Sequence, residues 1–171
     1  LRNATHHIIG SPTEIMAYGM PYKLLWNELS KVNPDYHNIC NDFINFYSNY
    51  KYGNTPYPYG TISVIDCSQV EGMVNIMKEI NASSSLATVV ESNIQSMDGY
   101  VPSIFYDMGD YVRKLAQNEP QLLTRFNQQL KLLVPEKGNT TSYYTAIRSL
   151  SGDVIPIQTY SGITISDPST N

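Results

Sequence analysis

Apolar positions along the chain switch between two periods, and the switches mark its elements. Thr5-His6-His7-Ile8-Ile9-Gly10 is a short β-branched run and reads as a buried strand. Ser11-Pro12 ends it, because proline cannot continue a central strand. Residues 13–21 are polar and broken by Gly19 and Pro21, so they read as a loop. From Tyr22 the spacing becomes helical through Leu24, Leu25, Trp26 and Leu29, and Asn33-Pro34 closes it. Asp35 is placed to cap a second helix, in which Tyr36, Ile39, Phe43, Phe46, Tyr47 and Tyr50 recur at three and four residues. Residues 51–60 are a turn-rich connection.

The second half repeats the alternation. Residues 61–66, Thr-Ile-Ser-Val-Ile-Asp, form a strand pattern. Ser68-Gln69-Val70-Glu71 has the capping-box pattern, and the helix behind it is expected to bury Val70, Met73, Val74, Met77 and Ile80. After a break at 81–85, Leu86, Val89, Val90, Ile94 and Met97 predict another helix ending at Asp98-Gly99. Residues 101–105 read as extended. Asp107 is expected to cap a helix with Met108, Tyr111, Val112 and Leu115 on one face. Asn118-Glu119-Pro120 opens another, with Leu122, Leu123, Phe126, Leu130 and Leu133, and residues 134–138 lead out of it. The end is β-like at 143–147, 154–157 and 159–165. Alternating strands and helices, without a repeat or a linker, predict one α/β unit over residues 1–171.

Charge removes some function classes. Only 15% of the residues are charged and the net charge is -4, so no basic surface offers itself to nucleic acid. Fourteen tyrosines and many Asn, Ser and Thr residues supply the polarity instead. No apolar run approaches the roughly 18 residues of a membrane span. Leu1 opens the chain without a Met, so a processed product or a fragment is expected. Asn-x-Ser/Thr triplets at Asn3, Asn81 and Asn139 occur as often as chance allows in such a composition.

The candidate chemistry is incomplete. His6 and His7 are neighbours on a predicted strand, so they point to opposite faces and cannot share one metal. His37 sits on a predicted helix, and no metal-ligand spacing joins the three. No metal and no cofactor is expected. Cys67 lies at a strand end before a helix, a position that lowers a thiol pKa, and a histidine could approach it in space. The competing reading is a buried thiol, which is also the expectation for Cys40. Asp107 and Asp110 could be a carboxylate pair, but capping explains both.

Ile8-Ile9-Gly10-Ser11-Pro12-Thr13-Glu14-Ile15 followed by Gly19-Met20-Pro21-Tyr22 resembles the clostripain-like cysteine peptidases. In that family a strand ending near Ser-Pro-x-Glu leads into a Gly-x-Pro-Tyr loop. Residues 61–66 look like the family's next strand, and Tyr106-Asp107-Met108-Gly109-Asp110-Tyr111 looks like its Tyr-Asp-Leu-x-Asp-Phe helix start. Tyr160-Ser161-Gly162-Ile163-Thr164-Ile165 resembles its Tyr-Ser-Gly-Leu-Ser strand. The resemblance spans nearly the whole chain.

It implies a caspase-like α/β fold, with a mainly parallel sheet, helices on both faces, and an arrangement incomplete without an N-terminal part. It implies a His/Cys dyad that lies upstream of Leu1, since neither His6, His7, Cys40 nor Cys67 matches the family's catalytic residues. This chain would then be the C-terminal portion of an endopeptidase cleaving after Arg or Lys. Its partners would be the N-terminal part of the same precursor and a protein or peptide substrate. Secretion or the bacterial cell envelope and internal autoprocessing are what the family suggests. A basic side chain needs a carboxylate once it is desolvated. Ser11, Thr13 and Glu14 occupy the position where the family builds part of that pocket, with Glu14 as the carboxylate. The alternative is a non-catalytic α/β binding protein on the same scaffold, using Tyr50, Tyr52, Tyr57 and Tyr59 for stacking.

Overall fold

The computed structural model of the protein describes residues 5–147 and 153–166, so Asn3 lies outside the described residues. In chain order the elements are β1 (His7–Gly10), α1 (Tyr22–Leu29), α2 (Tyr36–Ser48), β2 (Lys51–Tyr52), β3 (Thr55–Pro56) and β4 (Thr61–Asp66). They continue as α3 (Val70–Asn81), β5 (Phe105–Asp107), α4 (Met108–Leu115), α5 (Pro120–Leu133), β6 (Glu136–Asn139), β7 (Ser142–Thr145), β8 (Asp153–Pro156) and β9 (Thr164–Ser166).

The organising sheet has the order β1-β4-β6, and both of its pairings are antiparallel. The pairs β2–β3, β5–β9 and β7–β8 are antiparallel as well. The expectation of a mainly parallel sheet is therefore corrected for the described residues. A parallel pair needs one crossover that returns the chain to its starting end. Between β1 and β4 the chain runs through two helices, α1 and α2, and the β2–β3 pair rather than through a single crossover helix.

Helices do cover both faces. Ile62 and Val64 of β4 pack with Leu25, Ile39, Cys40, Phe43 and Tyr47 from α1 and α2. Ile65, on the opposite side of the strand, packs against Met73, Ile76, Ile80, Val112, Phe126 and Leu133 from α3, α4 and α5. Thr61, Ile62, Ser63 and Val64 are all buried as a result. β1 is only half-buried, because it is an edge strand of this sheet.

Local signals explain most element ends. The Asp35 carboxylate accepts the Asn38 N–H and caps α2. Asp107 accepts the Asp110 N–H and caps α4, and Pro120 opens α5. The start of α3 lies one residue later than the capping-box pattern places it. Asp66 accepts both the N–H and the hydroxyl of Ser68, a tight turn over Cys67–Gln69 follows, and Gln69 becomes the N-cap of α3. The buried face of α3 is then Met73, Ile76 and Ile80, with Val74 exposed rather than buried.

The helix expected from Leu86 to Met97 is absent. Glu91–Asn93 makes a single 3-10 turn, and the stretch after it runs extended beside β5. The Asp107 N–H donates to the Gln95 carbonyl, the Met97 N–H donates to the Phe105 carbonyl, and the Asp110 carboxylate takes the Gln95 N–H. β-branched Thr88, Val89 and Val90 disfavour helix there despite the apolar spacing. β6 was not expected either: Glu136-Lys137-Gly138-Asn139 lacks apolar alternation, yet it pairs with β4 in register from Thr61↔Asn139 to Val64↔Glu136.

Candidate functional site

The loop after β1 is held from beneath by hydroxyls. Ser11 Oγ lies 2.8 Å from Thr61 Oγ1, and Thr13 Oγ1 lies 2.7 Å from the same atom. Ser11 Oγ also donates to the Thr13 carbonyl at 2.9 Å. Thr13 is buried and Thr61 is fully buried on β4. Farther along, the Tyr47 hydroxyl donates to the Gly19 carbonyl at 2.6 Å. Gly19 adopts φ 74, a conformation open to glycine at no steric cost. The loop is thus fastened to β4 at one end and to α2 at the other.

Glu14 is carried outward between these fastenings and is exposed. Its Oε2 accepts the backbone N–H of Ala146 at 3.0 Å, just past β7. A cleft of about 620 Å3 opens beside it, lined by Glu14, Ile15, Met16 and Ala17 of the loop, by Tyr50, Tyr52 and Tyr57, and by Tyr144 and Ala146. Tyr57 meets the Tyr144 ring edge-on at 6.2 Å, and Tyr59 stacks on Tyr144 at 6.2 Å. Tyr50 leans on Phe46 and Tyr47. A carboxylate set among aromatic faces suits a side chain with an apolar stem and a positive end. Such a stem can pack on the rings while its charge faces the carboxylate and the electron-rich ring faces.

The three residues expected in the pocket therefore separate. Glu14 lines the cleft, whereas the hydroxyls of Ser11 and Thr13 point to Thr61 below it. Tyr50, Tyr52 and Tyr57 line it, and Tyr59 backs Tyr144. Tyr144 and Ala146 were not singled out from the sequence. They lie about 130 residues from Glu14, and no local pattern joins the two segments.

The other candidates lie away from this cleft. His7 packs its ring on Tyr36 at 4.7 Å, and His37 Nδ1 lies 3.1 Å from a Glu136 oxygen. The His6 carbonyl accepts the Cys67 N–H. Among the described residues no group of three or more His, Cys, Asp or Glu is placed to hold a metal ion. Cys40 and Cys67 are free and buried, as one sequence reading had it. Burial pushes the Cys40 thiol up to about 12, aided by the Glu136 carboxylate, which is the opposite of nucleophile activation. Asp107 is a cap and also accepts the Ser161 N–H. Asp110 is not a cap. It binds Arg113 at 3.0 Å, Lys114 at 2.8 Å and the Gln95 N–H. No helix among the described residues is long and apolar enough to cross a membrane.

Comparison with known proteins fits this architecture. Among curated proteins no match is found. A clostripain from Bacteroides thetaiotaomicron, solved in complex with the peptide inhibitor BTN-VLTK-AOMK, is 45% identical with a TM-score of 0.87, over 99% of this chain and 71% of that one. A secreted C11 cysteine protease from the same organism, "iotapain", is 45% identical with a TM-score of 0.86, over 98% of this chain and 45% of its own. An inactive zymogen C11 protease from Parabacteroides distasonis is 28% identical with a TM-score of 0.84, over 98% of this chain and 47% of its own. The chain thus spans about half the length of the last two. The mixed α/β fold is that of the solved C11 proteases. The family model described as the Clostripain family, peptidase C11, matches residues 1–164, and the chain belongs to that family of cysteine peptidases.

Proposed function

We propose that this chain is the C-terminal portion of a single caspase-like peptidase domain, in a cysteine endopeptidase that cleaves after Arg or Lys. It supplies scaffold and a substrate-pocket loop, and the His/Cys dyad belongs to the sequence preceding Leu1 in the same precursor. The observation that carries the reading is Glu14 at the tyrosine-lined cleft, on the loop that follows β1. The burial of both cysteines supports a nucleophile carried elsewhere. The inhibitor of the 45% identical clostripain places Lys directly before its AOMK group, with Val, Leu and Thr ahead of it. We take a substrate of that kind, basic at the cleaved residue and with apolar residues two and three places before it, for this protein too. We take secretion or the cell envelope for this protein as well, a reading that the secreted relative supports.

The test compares this chain alone with the complete protein that includes the preceding sequence. Both are given fluorogenic peptides ending in Lys, Arg or Ala, and the BTN-VLTK-AOMK probe. The complete protein is expected to cleave after Lys and Arg and to be labelled upstream of Leu1, and the chain alone to do neither. Labelling of Cys40 or Cys67, or cleavage indifferent to the basic residue, overturns the proposal. Binding of peptide without cleavage or labelling favours a non-catalytic binding protein that uses the same tyrosine cleft.

A further inference from the structure

Resting on that reading, we propose that a second depression, formed by Tyr100, Val101 and Ile147, takes an apolar side chain of the substrate on the amino-terminal side of the basic residue. The depression has a volume of about 390 Å3 and is lined by Gly99, Tyr100, Val101 and Ile147, none of them charged. Val101 is 80% exposed, and Tyr100 and Ile147 are each 45% exposed. Such residues are ordinarily turned inward, and together they form a small apolar surface.

Its position ties it to the Glu14 cleft. Ala146 lines that cleft and Ile147, the next residue, lines the depression. The two openings therefore lie along one stretch of backbone. An extended tetrapeptide reaches about 13 Å, several times the step of about 3.8 Å between the Cα atoms of Ala146 and Ile147.

The loop that carries Tyr100 and Val101 is built before any ligand arrives. The buried Asp98 carboxylate accepts the N–H groups of Tyr100 at 2.8 Å, Ile104 at 2.7 Å and Phe105 at 2.5 Å. The Asp98 carbonyl accepts the Tyr143 hydroxyl at 2.8 Å, which binds the loop to β7. A Cβ at Gly99 would stand 2.1 Å from Thr145 Oγ1, so only glycine allows this approach. Apolar side chains held out on a fixed loop lose little freedom when a ligand covers them, which favours binding. The substrate proposed above supplies the occupant, since it carries apolar residues before the basic one.

The experiment is a positional scan on the complete protease. Leu and Asp are exchanged at each of the three residues preceding Lys, in wild type, Val101→Asp and Asp98→Asn. Wild type is expected to prefer Leu over Asp by about tenfold or more in kcat/KM at one of these positions. Val101→Asp is expected to abolish or invert that preference, and Asp98→Asn to weaken it. The preference for Lys over Ala at the cleaved residue stays unchanged in both variants. A Leu/Asp ratio that Val101→Asp leaves intact overturns the inference while the cleavage specificity stands. Failure of wild type to cleave after Lys or Arg overturns both.

Discussion

Glu14 Oε2 lies 3.0 Å from the backbone nitrogen of Ala146, across 132 residues of sequence. This hydrogen bond joins the loop after β1 to the end of β7 beside the tyrosine-lined cleft that both segments line. The contact uses a single carboxylate oxygen, and a glutamine carbonyl can accept the same N–H. Glu14→Gln in the complete protease thus separates charge from architecture. Losing a charged partner for Lys or Arg costs about 1.5–3 kcal/mol, or roughly 10- to 150-fold. KM for Lys and Arg peptides is expected to rise by that factor with kcat and melting temperature nearly unchanged. Steady-state kinetics that match wild type would remove Glu14 from the pocket.

Thr61 should matter for the loop although it is far from it in sequence. Its hydroxyl is the shared partner of Ser11 and Thr13, and Thr61 and Thr13 are both buried. Thr61→Val keeps the shape and leaves the Thr13 hydroxyl only its longer contacts, the Glu14 carbonyl at 3.3 Å and Ser11 Oγ at 3.5 Å. Loss of the short buried bond costs about 0.5–1.5 kcal/mol. Urea unfolding of the complete protein is expected to show a lower midpoint at unchanged m. Ser11→Ala is expected to cost less, because Ser11 is only half-buried.

What was legible in the sequence is what local chemistry decides. Leucine spacing marks α1, which ends at Leu29 before Pro34 is reached, Asp35 and Asp107 cap their helices, and Pro120 opens α5. Strand direction was not legible. Burial of four successive residues in β4 looks the same whichever way its neighbours run, since helices on both faces produce it. β6 escaped because its pairing with β4 comes from backbone, with Lys137 and Asn139 facing solvent. The stretch from Leu86 to Met97 misled because its apolar positions serve two neighbours, Leu86 packing against the α3–α5 cluster and Ile94 and Met97 lying buried beside β5. Half of the cleft was legible through Glu14 and the tyrosines at 50–57. Tyr144 and Ala146 enter it only by tertiary packing.

Asp107 holds two segments at once. One oxygen caps α4 through the Asp110 N–H at 2.8 Å, and the other accepts the Ser161 N–H at 2.5 Å. The side chain is almost fully buried. Asp107→Ala removes a cap and leaves the buried Ser161 N–H without this acceptor, for a combined cost of about 2–4 kcal/mol. Asp107→Asn keeps one acceptor and is expected to fall between the two in melting temperature. A variant as stable as wild type would show that neither bond contributes.

Alkaline pH should destabilise the fold through protons held in its core, among them those of Cys40 and Tyr47 on the α1–α2 side, with Tyr160 likewise raised by burial. Burial raises Cys40 from its ordinary 9.0 to about 12, and it raises Tyr47 from 10.0 to about 12. Both lie in the cluster with Leu25, Ile39, Phe43, Ile62 and Val64. The unfolded chain releases these protons near the ordinary values, whereas the folded chain keeps them. The folded state therefore binds more protons above pH 9, and stability falls as pH rises. It is expected to be fully present below about pH 9 and to be lost progressively towards pH 12. Urea midpoints at pH 8, 9, 10 and 11 check the slope, with Cys40→Ala flattening its first part and Tyr47→Phe the part above pH 10. At pH 8 the Cys40 thiol should resist iodoacetamide in the folded protein and react in urea. A midpoint flat from pH 8 to 11, or a Cys40 alkylated while folded, would contradict the burial that sets both shifts.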